Sequence, residues 1–452
     1  MKRNRTALGA AAILSLALGS TAIAQNLVIS NARIIDGTGK VIERGSVVAR
    51  DGKIVSVGSG DAPAGSAGPR IDAHGMTVMA AFIDAHRHLI PGNADAWLKD
   101  KAADNMKSFI DAGFTTVFSM GDDPQGILEL RRRLNAGEIP GPTLYAVRML
   151  PLAAGFPQPS VAPPPSQWND PGRNDPARPP YRPVKALPAI PDDVIRASVD
   201  KAKADGFDAI KTILVNTPGG PEPHALAVIV EEAHKQGLRV FTHATAVPDA
   251  LTAINAHVDV LAHTPHIGRL EEDEPALRAI AGAHIPMVST LSVFIPHFDD
   301  QNHPLYRDGG PFPMPRPLSS AGQGPVNARL LWDAGVTYAY GTDTQWDPRD
   351  TLKDELRALN LVFSPVDIIK IMGPNAAAAI DKGAEIGTLE PGKLANIVIV
   401  SGDPLDDIFS LTHVMMVVKD GKLVVDKTAG ARAGKSQGGH SHRRLPWSRK
   451  SK

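Results

Sequence analysis

Between about Met76 and Ile380 short apolar runs alternate with amphipathic helical stretches eight times over. That alternation restricts the chain to folds assembled from βα units around a parallel sheet. Strands are expected at VMAAFIDAH (78–86), TTVFSM (115–120), PTLYAVRML (142–150), FDAIKTILV (207–215), LRVFTHAT (238–245), VDVLAHTP (258–265), IPMVSTLSVF (285–294) and VTYAYGTDT (336–344). Between them, DDVIRASVDKAKADG opens on acidic residues and closes at Gly206, and HALAVIVEEAHKQG closes at Gly237, as helices do. Eight such units predict an α/β fold, a (β/α)8 TIM barrel, with its chemistry where strands end and the following loops begin. The Pro/Gly-rich stretches 151–190 and 295–324 follow the third and seventh strands and are expected to act as lids on that face.

The segments flanking the barrel carry a different pattern. LVISNARIIDGTGKVIERGSVVARDGKIVSVGSG near one end, and KLANIVIVSGDPL with HVMMVVKDGKLVVD near the other, are short β-rich runs broken by Gly-containing turns. They predict a small β-sandwich domain built from both termini, with residues 25–75 and 385–426 as its two parts and 76–384 as the inserted barrel. Residues 1–24 read as a secretory signal peptide: Lys2, Arg3 and Arg5 precede an apolar run from Ala7 to Leu18, and Ala22-Ile23-Ala24 forms a small-x-small cleavage site before Gln25. The run is shorter than the roughly 20 residues of a membrane span, so a periplasmic or secreted protein with no stable span after cleavage is expected. Residues 427–452 are basic and rich in Gly and Ser, and read as a disordered tail.

The formal net charge is zero, but residues 25–426 hold 37 Lys and Arg against 48 Asp and Glu. An acidic body excludes a nucleic-acid partner. A small-molecule substrate is expected, and a homo-oligomer is compatible with this reading. The chain has no cysteine, so any metal is held by N and O ligands and no disulfide braces the fold.

Six residues fall at expected strand ends on the reactive face. His86 and His88 form His-x-His on strand one, where residues two apart share a side of the strand. Lys211 falls at the end of strand four, His243 of strand five, His263 of strand six and Asp343 of strand eight. A single buried histidine is more often a hydrogen-bonded core residue than a ligand. Here four of the fifteen histidines sit at strand ends, while the others scatter over turns, helices, loops and the tail. Lys211 in a buried strand would be a costly charge unless neutralised or paired. Arg87, between the two histidines, faces the opposite side and reads as structural.

The stretches FIDAHRHL, DAIKTIL, VFTHAT, DVLAHTPH, GTDTQ, EIGTLEPGKLANIVIVSGDPL and VVKDGKLVV, in this order, resemble the metal-dependent amidohydrolase superfamily, in its imidazolonepropionase-like and Xaa-Pro-dipeptidase-like branch. The resemblance covers about residues 27–426. It implies two divalent metal ions, Zn²⁺ by choice: His86, His88 and Asp343 on the more buried ion, His243 and His263 on the more exposed one, and Lys211 bridging them after CO2-derived carboxylation. It also implies a metal-activated hydroxide, with Asp343 as the catalytic base that later returns the proton to the leaving group. Two stretches depart from the pattern, Ala80-Ala81-Phe82 where Pro-Gly usually precedes Ile-Asp, and Ala395-Asn396-Ile397 where Ala-Asp-Leu is usual. Neither contains an expected ligand.

The implied reaction is hydrolysis of an amide or related C–N bond in an N-acyl amino acid, a dipeptide or a cyclic amide. Arg148, ending strand three, and His266, just past the strand-six ligand, are the expected substrate contacts, with a surface or supporting role as the alternative for each. The same chemistry would serve a lactonase or phosphotriesterase. A non-catalytic metal-bound binding protein is the remaining alternative.

Overall fold

The structure is a computed structural model that describes residues 26–155, 186–294 and 322–428. The expected signal peptide, almost all of the basic tail and most of the two lid stretches lie outside the described residues. The accessory domain begins with β1 (Leu27–Ile35), β2 (Val41–Arg50), β3 (Lys53–Ser59), β4 (Arg70–Asp72) and β5 (Thr77–Ala80). The barrel follows with β6 (Phe82–Arg87), β7 (Phe114–Ser119), β8 (Thr143–Met149), β9 (Ala209–Ile213), β10 (Arg239–His243), β11 (Val260–Leu261), β12 (Met287–Val288) and β13 (Tyr338–Ala339). The chain then returns to the accessory domain as β14 (Ile397–Val400), β15 (Val414–Lys419) and β16 (Lys422–Asp426).

The accessory strands form one mixed sheet in the order β16-β15-β14-β5-β1-β2-β3, with β4 also on β1, which fits the small β-sandwich domain expected from both termini. Its apolar face, including Ile29, Ile34, Val47, Val78, Ile397 and Val418, forms its own buried cluster. β5 joins the two ends, parallel to β1 and antiparallel to β14.

The first expected strand, 78–86, is in fact two. The Ala81 amide donates to the Asn396 carbonyl of the accessory sheet at 3.0 Å, and the next amide, of Phe82, donates to Gly113 beneath the barrel at 2.9 Å. The chain therefore changes sheets at one residue, inside an unbroken apolar run that carries no turn signal. Gly113 has φ +93, and a Cβ there would lie 2.8 Å from the Phe82 ring, so this crossing needs a glycine.

β6 to β13 are parallel and lie in sequence order. Backbone bonds between the first and last strands close the barrel: Ala85 N–H to Tyr340 O at 2.9 Å, Thr342 N–H to His86 O at 3.1 Å and His88 N–H to Thr344 O at 3.2 Å. The last three strands are shorter than expected, and beyond β12 and β13 the chain turns into left-handed backbone at Thr290, φ 40, and Asp343, φ 51. The barrel interior is filled by Val147, Ala209, Phe241, Val260, Val288 and Ala339, and Ala376, Ala377, Ala379 and Ile380 pack into the same cluster.

The helices follow from their sequences. Asp192–Ala204 buries Ile195, Val199 and Ala202, one stripe at helical spacing, with Asp192 and Asp193 in the first turn and Lys201 and Lys203 in the last. Among the described residues no helix is long and apolar enough to cross a membrane.

Candidate metal centre

Five of the six expected ligands lie at the reactive face of the barrel, and the sixth lies below it. His86 is in β6 and His88 one residue beyond it, His243 is the last residue of β10, and His263 and Asp343 follow β11 and β13. Lys211 differs from expectation: it is the third residue of five in β9, below the rim rather than at the strand end. Its burial, 2% exposed, follows from that depth.

The distances join five of these residues into one polar cluster, and the sixth packs against it. Asp343 Oδ1 is 3.1 Å from His86 Nε2 and 3.0 Å from His88 Nε2, and Oδ2 is 3.9 Å from His263 Nε2. Lys211 Nζ is 3.4 Å from His86 Nε2. The His263 ring lies 4.8 Å from that of His86 and 4.4 Å from that of His243, between centroids. Ligand atoms of His86, His263 and Asp343 fall within 4.8 Å of one another.

Surrounding groups fix how these side chains point. His86 Nδ1 meets the carbonyl of Ala262 at 3.0 Å. A carbonyl only accepts, so Nδ1 carries the hydrogen and the Nε2 lone pair faces Asp343. His263 Nδ1 bonds the hydroxyl of Thr290 at 2.8 Å, which turns its Nε2 toward the cluster. Thr290 is held in turn by the loop it begins, since buried Glu355 accepts the amides of Leu291 and Ser292 at 3.0 and 2.8 Å. Asp122 accepts the amides of Leu89 and Ile90, each at 2.9 Å, and so anchors the chain leaving His88. A Cβ on Gly341 would lie 2.8 Å from that of His86 and 2.4 Å from Val288, so only glycine lets β6 and the end of β13 approach this closely.

Electrostatics leave the cluster rich in lone pairs. Burial, reinforced by the Lys211 charge, lowers His86 to about 4. Burial and then the neighbouring His243 hold His263 well below the ordinary histidine value. Burial lowers Lys211 to about 7. Burial alone would raise Asp343, but the histidines packed around it outweigh burial and hold the carboxylate well below its usual range.

The two expected substrate contacts part company. His266 is 6% exposed and lies three residues past His263, its amide bonded to Thr245 O at 2.9 Å near the mouth. Arg148 is not brought to the cluster. In the β8–β9 register Val147 pairs with Ala209 and Met149 with Lys211, the sides that face the interior. Arg148, between them, points outward with Ile210, and its guanidinium lies 6.0 Å from the Phe207 ring centroid. Position near a strand end selected it, and strand parity turns it away.

Sequence reasoning missed Thr290, Asp122 and Glu355. Their only trace is a polar or acidic residue within or just past an expected strand, or in the stretch after the last one, a signal shared with many solvated positions.

The sequence profile described as the Amidohydrolase family matches residues 77–424. The imidazolonepropionase of Thermoanaerobacter pseudethanolicus is 24% identical over 430 residues, covering 84% of this chain and 89% of that one. A solved Xaa-Pro dipeptidase with bound methionine in its active site superposes with a TM-score of 0.67 at 22% identity, covering 88% of this chain and 100% of that one. The ochratoxinase of A. niger superposes with a TM-score of 0.66 at 20% identity, covering 89% and 96%.

Proposed function

This chain belongs to the amidohydrolase family, and on that premise we propose that it hydrolyses an amide or related C–N bond in a small molecule, using two divalent metal ions held by His86, His88, Lys211, His243, His263 and Asp343. The observation that carries the proposal is the approach of His86 Nε2 to Asp343 Oδ1 at 3.1 Å. The Ala262 carbonyl makes that nitrogen a lone-pair donor, and burial with a histidine value near 4 keeps a proton off it at neutral pH. A lone pair and an anion this close, in a buried site, call for a cation between them.

The donor set fits such ions: imidazole and carboxylate without thiolate suits zinc. Lysine values near 7 leave about half of the Lys211 amine neutral at pH 7, against roughly three in ten thousand for an ordinary lysine. A neutral amine is the form that reacts with CO2, losing one proton to solvent, and the resulting carbamate would add an anionic ligand for the metal ions. Divalent cations bound here supply Lewis acidity to the scissile carbonyl and make water a nucleophile at neutral pH. Asp343, ionised and at the rim of the barrel, takes the proton from the attacking water and delivers it to the leaving nitrogen. His266, three residues past His263, is the candidate contact for a substrate group.

The leader at residues 1–24 supports export to the periplasm or beyond, where a cysteine-free site has no thiol to oxidise. Related proteins named imidazolonepropionase and Xaa-Pro dipeptidase direct the choice of substrates. Turnover of a panel of N-acyl amino acids, Xaa-Pro dipeptides, cyclic amides, lactones and phosphotriesters by the zinc-supplemented protein tests the assignment. Hydrolysis is expected among the C–N substrates. Turnover confined to lactones or phosphotriesters overturns the bond type, and turnover of none, with metal bound, favours a binding protein.

A further inference from the structure

We propose that Arg87 is a positioning residue for Asp343: its buried guanidinium clamps the turn after β13 so that the Asp343 carboxylate reaches the histidine cluster. The inference rests on the reading of Asp343 as ligand and base, and assigns a task to a side chain which that reading leaves unused.

Arg87 lies between His86 and His88 in sequence, yet its side chain passes to the other side of β6, where it is 1% exposed and sits 5.0 Å from the centroid of the Phe109 ring. The hydrogen bonds of its guanidinium all go to one segment. Nη1 donates to the hydroxyls of Thr342 and Thr344 at 2.9 Å and of Thr351 at 3.0 Å, and Nη2 donates to the Trp346 carbonyl. Nε has no partner. Asp84 completes the clamp, accepting the Thr342 hydroxyl at 2.8 Å and lying 3.9 Å from Nη1.

Asp343 sits between two of the clamped threonines with φ 51. L residues keep such a conformation when their surroundings impose it. The adjoining strand residue adds to the constraint, because the amides of Thr342 and Asp343 both donate to His86 O, at 3.1 and 2.8 Å. One stretch of β6 thus supplies a ligand on its inner side and, on its outer side, a planar fork that holds the turn carrying the base. A lysine has the charge but not the fork, so it cannot hold the same set of acceptors.

The test compares Arg87→Lys, Thr344→Val and Thr351→Val with the parent, as purified. It measures hydrogen exchange of the 342–346 amides, metal loss to a chelator, and kcat and KM on an active substrate. Arg87→Lys is expected to speed exchange in this turn by at least about tenfold, with the rest of the barrel unchanged, as loss of charged hydrogen bonds implies. Metal loss should quicken and kcat fall by about tenfold or more while KM stays within about twofold, because a displaced base acts on the transition state. Each Thr→Val change is expected to move the same readouts less, in the same direction. Unchanged exchange, or faster exchange with metal loss and kcat within about twofold of the parent, overturns the proposal. If Arg87→Lys does not fold, the Thr344→Val/Thr351→Val double variant decides by the same criteria. A chain inactive on every substrate would sink the proposed function, while exchange and metal release would still decide on the clamp.

Discussion

Replacing Asp343 by Asn lowers kcat by about 10²–10⁴-fold, the usual contribution of a positioned general base, and leaves most of the metal in place. Asn preserves the shape of the side chain and tolerates the left-handed conformation found here, φ 51, better than most residues, so the turn does not need to rearrange. What disappears is the negative charge and the basicity. Four imidazoles and Lys211 remain to hold metal, and substrate binding does not require proton transfer, so KM changes far less than kcat. Metal content and steady-state kinetics on one preparation make the check. A variant that retains metal and turns over within about threefold of the parent, far inside the expected range, removes Asp343 from the role of base.

Lys211→Ala has a comparably large effect by a different route. The residue is 2% exposed, its amine lies 3.4 Å from His86 Nε2, and burial brings it to about 7. Carboxylation of that amine would place a second anion beside the one carboxylate of the cluster. On the proposed reading, truncation would remove a bridging ligand and leave a cavity beside the cluster. Metal content and activity both fall, and short carboxylic acids added to the variant restore part of each by filling the space with an anion. The pH sense follows from the depressed value: the reactive neutral amine forms as pH rises through about 7 rather than about 10.5. CO2-dependent reactivation of metal-stripped parent protein should accordingly increase through that window and be weak below it. Full activity in Lys211→Ala, or reactivation that needs pH near 10, would contradict the bridge.

The six cluster residues could be read from the sequence because each is a chemically distinctive side chain close to the end of an apolar strand, and the barrel topology gathers such ends around one axis. Their depth could not. Lys211 lies mid-strand because β9 runs two residues past it, and the apolar run Ile213-Leu214-Val215 hides where the strand ends. Arg148 shows the limit of counting from strand ends, since its direction depends on the register of Met149 with Lys211, a tertiary fact. The change of sheets at Ala81 leaves no mark in a continuous apolar run. Arg87 was legible as a residue facing away from the ligands. Its grip on Thr342, Thr344 and Thr351 was not, because those partners lie more than 250 residues away. Thr290 and Glu355 were invisible for the same reason: a polar residue acquires an orienting role only through the partner the fold gives it.

Elemental analysis of the purified, zinc-supplemented protein after removal of loosely bound ions tests the central claim most directly, alongside a His86→Ala/His263→Ala variant. The proposed ligand set of His86, His88, Lys211, His243, His263 and Asp343 predicts close to two transition-metal ions per chain in the parent, as expected of imidazole and carboxylate donors at this density, and a clear loss in the variant. A parent chain that holds no metal under these conditions, or a variant that holds as much as the parent, would contradict the account.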